Sequence, residues 1–220
     1  MHTAIVVFPG SNRERDAALA LERVTGRKPH IVWHAESTLP KVDLILLPGG
    51  FSYGDYLRTG AMAAHAPLMR EIKARAAQGV RVWGICNGFQ ILCESGLLPG
   101  VLMRNKSLKF ICKPVTLTVE NTATPFTTLC HTQQELRLII AHGDGNYFAD
   151  RATLDRLEGN GQVAFRYREN PNGSVNDIAG IVNESGNVLG MMPHPEDAVE
   201  ELQGSTDGRI LFESLLKAVA

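Results

Sequence analysis

The first half of the chain alternates two rhythms of apolar residues. Ala4-Ile5-Val6-Val7-Phe8 is an unbroken apolar run, the pattern of a strand buried on both faces. Further strands are expected at His30-Ile31-Val32-Trp33, Asp43-Leu44-Ile45-Leu46-Leu47 and Val80-Arg81-Val82-Trp83-Gly84-Ile85. Between them, Ala17, Leu21 and Val24, and later Leu68, Ile72 and Ala76, fall at helical spacing, with Gly26 and Gly79 as stops. Pro9-Gly10-Ser11-Asn12 reads as a turn ending in residues suited to cap a helix. Strand–helix alternation forces parallel neighbours through right-handed crossovers, so an open α/β sheet with helices on both faces is predicted.

The rhythm changes after residue 100. Helical spacing is weak from Val101 to Leu189, and short β-rich runs dominate at 115–119, 136–141, 163–167, 178–182 and 188–191. Turn clusters such as Asn170-Pro171-Asn172-Gly173 and Glu184-Ser185-Gly186-Asn187 separate several of them, which predicts antiparallel strands added to the sheet. Ile210, Leu211, Leu215 and Leu216 mark a closing helix over 208–219. No linker, repeat or low-complexity tract interrupts the pattern, so residues 1–220 are expected to form one domain.

Composition narrows the function classes. The 220 residues carry 22 Lys+Arg against 23 Asp+Glu, and only 6% are aromatic. Neither a basic field nor a stacking platform for nucleic acid is expected. No apolar stretch approaches the ~20 residues of a membrane span, and the N-terminus lacks the pattern of a signal peptide. A cytoplasmic protein is the expectation. Cys86, Cys93, Cys112 and Cys130 show no C-x-x-C spacing, so neither a zinc site nor a disulfide scaffold is expected. His30 and His34 stand four apart, but the run between them reads as strand, and no metal site is expected there.

Chemistry concentrates at Gly84-Ile85-Cys86-Asn87-Gly88, a G-x-C-x-G string between an expected strand and an expected helix. This is the thiol form of a nucleophile elbow, where glycines permit a sharp turn and the nucleophile faces the positive end of a helix. A small cysteine packed in a glycine turn is the plainer reading of the elbow alone. A thiol nucleophile needs a base and a group to orient it. His194, in Met191-Met192-Pro193-His194-Pro195-Glu196, follows an expected strand. If the two prolines hold this segment extended, Glu196 lies on the same side as His194 and can fix its tautomer. The same string also suits a helix start, with Pro at the first position. Pro48-Gly49-Gly50, at the end of the third strand, offers backbone N–H groups that, with the N–H of Asn87, could form an oxyanion hole.

Together these strings resemble the class I (triad) glutamine amidotransferases. Gly50-Phe51-Ser52-Tyr53-Gly54-Asp55, and Arg104-Asn105 through Lys109-Phe110, narrow the resemblance to the glutaminase subunits of phosphoribosylformylglycinamidine synthase. The resemblance spans nearly the whole chain. It implies a flavodoxin-like fold and hydrolysis of the side-chain amide of L-glutamine. It implies Cys86 as nucleophile, His194 as acid and base, Glu196 as its orienter, and Gly50 and Asn87 as oxyanion donors. Gln90, and the backbone near His142 and Gly143, would hold the glutamine. The ammonia would pass to a separate synthetase subunit that uses ATP and magnesium, with a small bridging subunit in the complex. The chain has no phosphate loop and is expected to carry no cofactor of its own.

Departures from the family pattern are Arg13, where a cysteine is common, Asp197, where an arginine is common, and Asn146. Two other function classes compete with this one. A stress-response or peptidase-like protein of the same fold would explain Cys86, but not the His194–Glu196 pair. A catalytically silent binding module would leave the triad without a purpose.

Overall fold

A computed structural model describes residues 1–219. The chain runs β1 (Thr3–Val7), α1 (Glu14–Thr25), β2 (His30–Trp33), β3 (Leu44–Leu47), α2 (Leu68–Ala77), β4 (Arg81–Ile85) and α3 (Asn87–Glu94). It continues through β5 (Val101–Met103), β6 (Ile111–Val119), β7 (Glu135–His142), β8 (Asn146–Phe148), α4 (Arg151–Gly159) and β9 (Val163–Tyr167). The last elements are β10 (Ile178–Val182), β11 (Val188–Met191) and α5 (Arg209–Lys217).

Nine strands form one sheet in the order β2-β1-β3-β4-β11-β10-β9-β6-β7, and β5 pairs with β8 apart from it. The pairings from β2 to β11 are parallel, and those from β11 to β7 are antiparallel. This is the expected α/β sheet with antiparallel additions. The apolar runs account for it: every residue of β3 and of β11 is buried. Trp83 on β4 packs against Phe126 and Phe212, with ring centroids 5.9 and 4.8 Å apart. No helix among the described residues is long and apolar enough to cross a membrane.

Three local expectations fail. Helix α4 lies within the stretch read as β-rich. Its signal is weak because only Leu154 and Leu157 are buried, while Asp150 starts it by accepting the Thr153 N–H at 2.8 Å. The short strands β5 and β8 were also missed, since three-residue pairs carry too little periodicity to register. Ser11 and Asn12 do not cap α1. The turn runs on to Arg13, and the Ser11 hydroxyl instead accepts the Phe8 N–H at 3.0 Å.

Two features of the topology build the site. β11 lies parallel to β4, with Met191 opposite Ile85, so both carboxyl ends reach the same edge. The Cys86 N–H donates to the Met191 carbonyl at 2.8 Å, which ties the two ends together. β7, last in the hydrogen-bonded order, also returns to this edge, where its Ile139 carbonyl accepts the His194 N–H at 2.8 Å. Strand ends at such an edge are where open α/β sheets bind ligands.

Candidate active site

Cys86 sits between β4 and α3 with φ 51° and ψ −107°, a backbone conformation that non-glycine residues rarely adopt. The flanking glycines permit it by close approach. A Cβ on Gly88 would lie 2.0 Å from the Leu47 carbonyl oxygen, and one on Gly84 would lie 2.6 Å from the Gly88 backbone. The turn therefore projects the thiol past the end of β4 and sets it at the head of α3. The Sγ lies 3.8 Å from the Ala141 carbonyl oxygen of β7.

His194 is carried to the thiol by β11 and is almost fully buried. Its Nδ1–H donates to Glu196 Oε1 at 2.7 Å. An ionised carboxylate can only accept, so the proton resides on Nδ1 and Nε2 is left toward the cavity that Cys86 also lines. Burial is the largest influence on the ring and opposes its charge. The negative charges of Glu196 and Cys86 together outweigh it and hold the imidazolium well above the usual histidine range. The expected reason for the His194–Glu196 contact is corrected in one respect. His194 is extended, but Pro195–Asp197 forms a 3-10 turn, so Glu196 reaches back from a helical start with Pro at its head. The turn and the ion pair coexist.

Gly50 stands across the cleft with φ 150°, where a Cβ would meet the Gly10 carbonyl oxygen at 2.6 Å. The Asn87 side chain braces the same region, its Oδ1 accepting the Ser52 N–H at 3.2 Å. Among the described residues, the N–H groups of Gly50 and Asn87 have no acceptor in the hydrogen-bond network, which leaves them available to an incoming oxyanion.

A cavity of about 240 Å³ opens from Cys86 and is lined by Gly50, Gln90, His142 and Gly143, all named by the sequence. Gln90 is more engaged than expected. Its Oε1 accepts from Asn87 Nδ2 at 2.8 Å, and its Nε2 donates to the Asp144 carbonyl at 2.7 Å. His142 also has a defined state. Asn105 donates to the Lys109 and His142 carbonyls, so its Oδ1 faces His142 Nδ1, 3.0 Å away, and the Gly145 N–H. Nδ1 therefore carries the proton. Burial, with the nearby charge of His194, pushes this ring down to about 4, so it is neutral at pH 7.

Several residues at the site were not singled out by sequence reasoning. Asp55 and Asp144 line the cavity beside Arg104 and Lys109. Asn105 is fully buried and its side chain makes four hydrogen bonds. A buried asparagine in a loop is invisible to periodicity; its appearance in the Arg104-Asn105 string was the one available signal. The two unusual residues, Arg13 and Asp197, form an ion pair with each other beside the triad, with Arg13 also 3.3 Å from Asp16. Asn146 donates to the Arg104 carbonyl at 3.3 Å and so steadies the rim of the cavity.

The chain resembles known proteins along its whole length. A family model for the CobB/CobQ-like glutamine amidotransferase domain matches residues 1–210. Phosphoribosylformylglycinamidine synthase subunit PurQ of Rhizobium meliloti is 60% identical over 222 residues, covering both chains completely. The PurQ subunit of Brucella suis is 58% identical over 223 residues, again covering both chains completely. A chain in the PurLQS structure from Thermotoga maritima superposes with a TM-score of 0.92 at 49% identity, covering 100% of this chain and 99% of that one. A glutamine amidotransferase from Thermotoga maritima, at 17% identity and a TM-score of 0.61, shares the fold, covering 100% of this chain and 96% of its own. The chain therefore belongs to the CobB/CobQ-like glutamine amidotransferase family, within its branch of phosphoribosylformylglycinamidine synthase PurQ subunits.

Proposed function

We propose that this chain is the glutaminase subunit of a phosphoribosylformylglycinamidine synthase. It hydrolyses L-glutamine to glutamate and ammonia for a separate ATP-dependent synthetase subunit. That partner converts phosphoribosylformylglycinamide to the amidine during purine biosynthesis. The single observation that carries the reading is the buried Cys86–His194–Glu196 arrangement on the shared edge of β4 and β11. Family membership supports it, as does the likeness to a chain of a PurLQS complex.

The Cys86 thiolate attacks the side-chain carbonyl carbon of glutamine, and the N–H groups of Gly50 and Asn87 hold the oxyanion that forms. The His194 imidazolium gives its Nε2 proton to the leaving nitrogen. The C–N bond breaks, and ammonia departs from a thioester on Cys86. Neutral His194 then takes a proton from water, the resulting hydroxide attacks the thioester, and the C–S bond breaks to release glutamate and restore the thiolate. Glu196 keeps the ring in the tautomer both steps need. Gln90, held by Asn87 and Asp144, and the backbone at His142 and Gly143 form the wall against which glutamine lies. No metal or organic cofactor takes part on this chain. ATP and magnesium belong to the synthetase, a small bridging subunit completes the complex, and the whole works in the cytoplasm as a single-domain chain with its partners.

The test is glutamate release, and synthesis from glutamine or from added ammonia, in the reconstituted complex. Cys86→Ala is expected to abolish glutamine-dependent synthesis and leave ammonia-dependent synthesis intact. Retained glutamine-dependent synthesis would remove Cys86 as the nucleophile. No glutamate release by the wild-type complex would favour a silent binding module.

A further inference from the structure

The cavity beside Cys86 carries charge of both signs. Asp55 and Asp144 line it together with Arg104 and Lys109, and Cys86 lies at its base. At about 240 Å³ it is smaller than the ~300–1,000 Å³ of sites for drug-sized ligands, a size suited to one small amino acid.

The two carboxylates are held in place by structure around them. Asp55 has φ 57° and follows Tyr53 and Gly54, both also at positive φ. Consecutive left-handed residues are costly and persist only where the surroundings hold them. Here the Tyr53 N–H donates to the Pro9 carbonyl at 2.6 Å, the Tyr53 hydroxyl meets His34 Nδ1 at 2.9 Å, and Ser52 is tied to Asn87. Asp144 is fixed through its carbonyl by Gln90, and its neighbour Gly145 by Asn105.

Asp55 has no hydrogen-bonded cation, and Asp144 has a single long ion pair. Asp55 Oδ1 is buried with no hydrogen-bond partner. The nearest arginine in sequence, Arg58, is committed to Glu94 through bonds of 2.9 and 2.7 Å. Asp144 has only the exposed Arg104, whose Nε lies 3.9 Å away. Burial, reinforced by Asp144, pushes the Asp55 carboxyl up to about 6. A second buried polar atom in the same cavity wall is also unpartnered, the Nε2 of neutral His142. A buried acceptor without a partner is unfavourable and marks a place where a ligand atom fits.

We propose that Asp55 and Asp144 bind the α-ammonium group of the amino-acid substrate, with Arg104 on its α-carboxylate side. The assignment rests on the glutaminase reading above and extends it from the scissile amide to the far end of the substrate. Three N–H donors of an ammonium suit two carboxylates that line one cavity, and its charge supplies what Asp55 is missing. The pair also confers a selectivity. A primary carboxamide without an α-amino group fills the same space and leaves Asp55 unpaired, and such losses are discriminated strongly.

The experiment compares L-glutamine with glutaramate, its analogue lacking the α-amino group, by glutamate or glutarate release in the reconstituted complex. Wild type should favour glutamine in kcat/KM by roughly 10- to 100-fold. Asp55→Asn should raise the KM for glutamine by a similar factor with little change in kcat, and should leave glutaramate turnover nearly unchanged, so that the preference collapses. Asparagine tolerates positive φ, so this variant keeps the backbone. Asp144→Asn carries the same test where Asp55→Asn fails to fold. Equal losses on both substrates would overturn the proposal while leaving the glutaminase reading standing. No release from glutamine by wild type would overturn both.

Discussion

Two walls face each other across Cys86, and they are built differently. One is the elbow between β4 and α3, where every residue from Val82 to Cys93 is buried and the backbone approaches itself closely at Gly84 and Gly88. The other is made by residues 51–60 and 104–110, where Phe51, Tyr56, Leu57, Leu108 and Phe110 are exposed and several residues hold positive φ. The first wall positions the reacting atoms, and close packing lets it hold a strained thiol. The second carries charged side chains, Asp55, Arg104 and Lys109, that line the cavity beside the thiol. A rigid sheet edge thus holds the strained cysteine, and loops bring the charged side chains to it.

Glycine substitution should separate the walls most sharply. Gly88→Ala places a methyl carbon 2.0 Å from the Leu47 carbonyl oxygen, where neither backbone can yield. It should cost about 3 kcal/mol or more, or prevent folding, as measured by urea unfolding. Gly54→Ala meets only the exposed Tyr56 ring at 3.0 Å, and its φ of 72° should cost about 1–2 kcal/mol. Equal losses would erase the distinction.

Glu196→Gln should be next in effect. It removes one of the charges that hold the His194 proton, and kcat for glutamate release should fall roughly 10²- to 10⁴-fold with KM changed little. It should also alter the pH dependence. The contribution of the His194 imidazolium to stability is complete below the unfolded value of about 6.5 and is lost as pH rises through the higher native value. The variant should lose it at lower pH, a change visible in unfolding midpoints across pH 6–9.

The smallest effect belongs to the Arg13–Asp197 pair, which is partly exposed. Arg13→Ala should cost about 1 kcal/mol or less. It should nonetheless cost more than Asp197→Asn, because it leaves Asp197 beside Glu196 without its cation, whereas the reverse change leaves Arg13 with Asp16. Thermal midpoints of the two variants settle the order. The arginine usual after the His-Pro-Glu string is replaced by an aspartate, and a cation arrives instead from Arg13, the residue just before α1.

Much of the rigid wall was legible from residues. Apolar runs marked β1, β3 and β4, Gly26 and Gly79 ended helices as expected, and the G-x-C-x-G string located the turn. The loop wall was legible only as the strings from Gly50 to Asp55 and from Arg104 to Phe110, which pointed to a family and not to the roles of single residues. Asp55, Asp144 and Asn105 lie in segments without periodicity, and their partners are distant in the chain. The antiparallel half was read as strands but without α4, whose mostly exposed face left few apolar positions to count.

The sequence by itself determined the kinds of element and the chemistry available, because side-chain periodicity and glycine sterics are local properties. Cys86, His194 and Glu196 could be named from their immediate neighbours alone. Only the tertiary structure decided that β11 pairs beside β4, that β7 returns to the same edge, and that two carboxylates from separate loops share a cavity with the thiol. Those contacts join residues 55 to 106 positions apart, and their energies depend on burial and mutual charge, which exist only once the chain has closed around them.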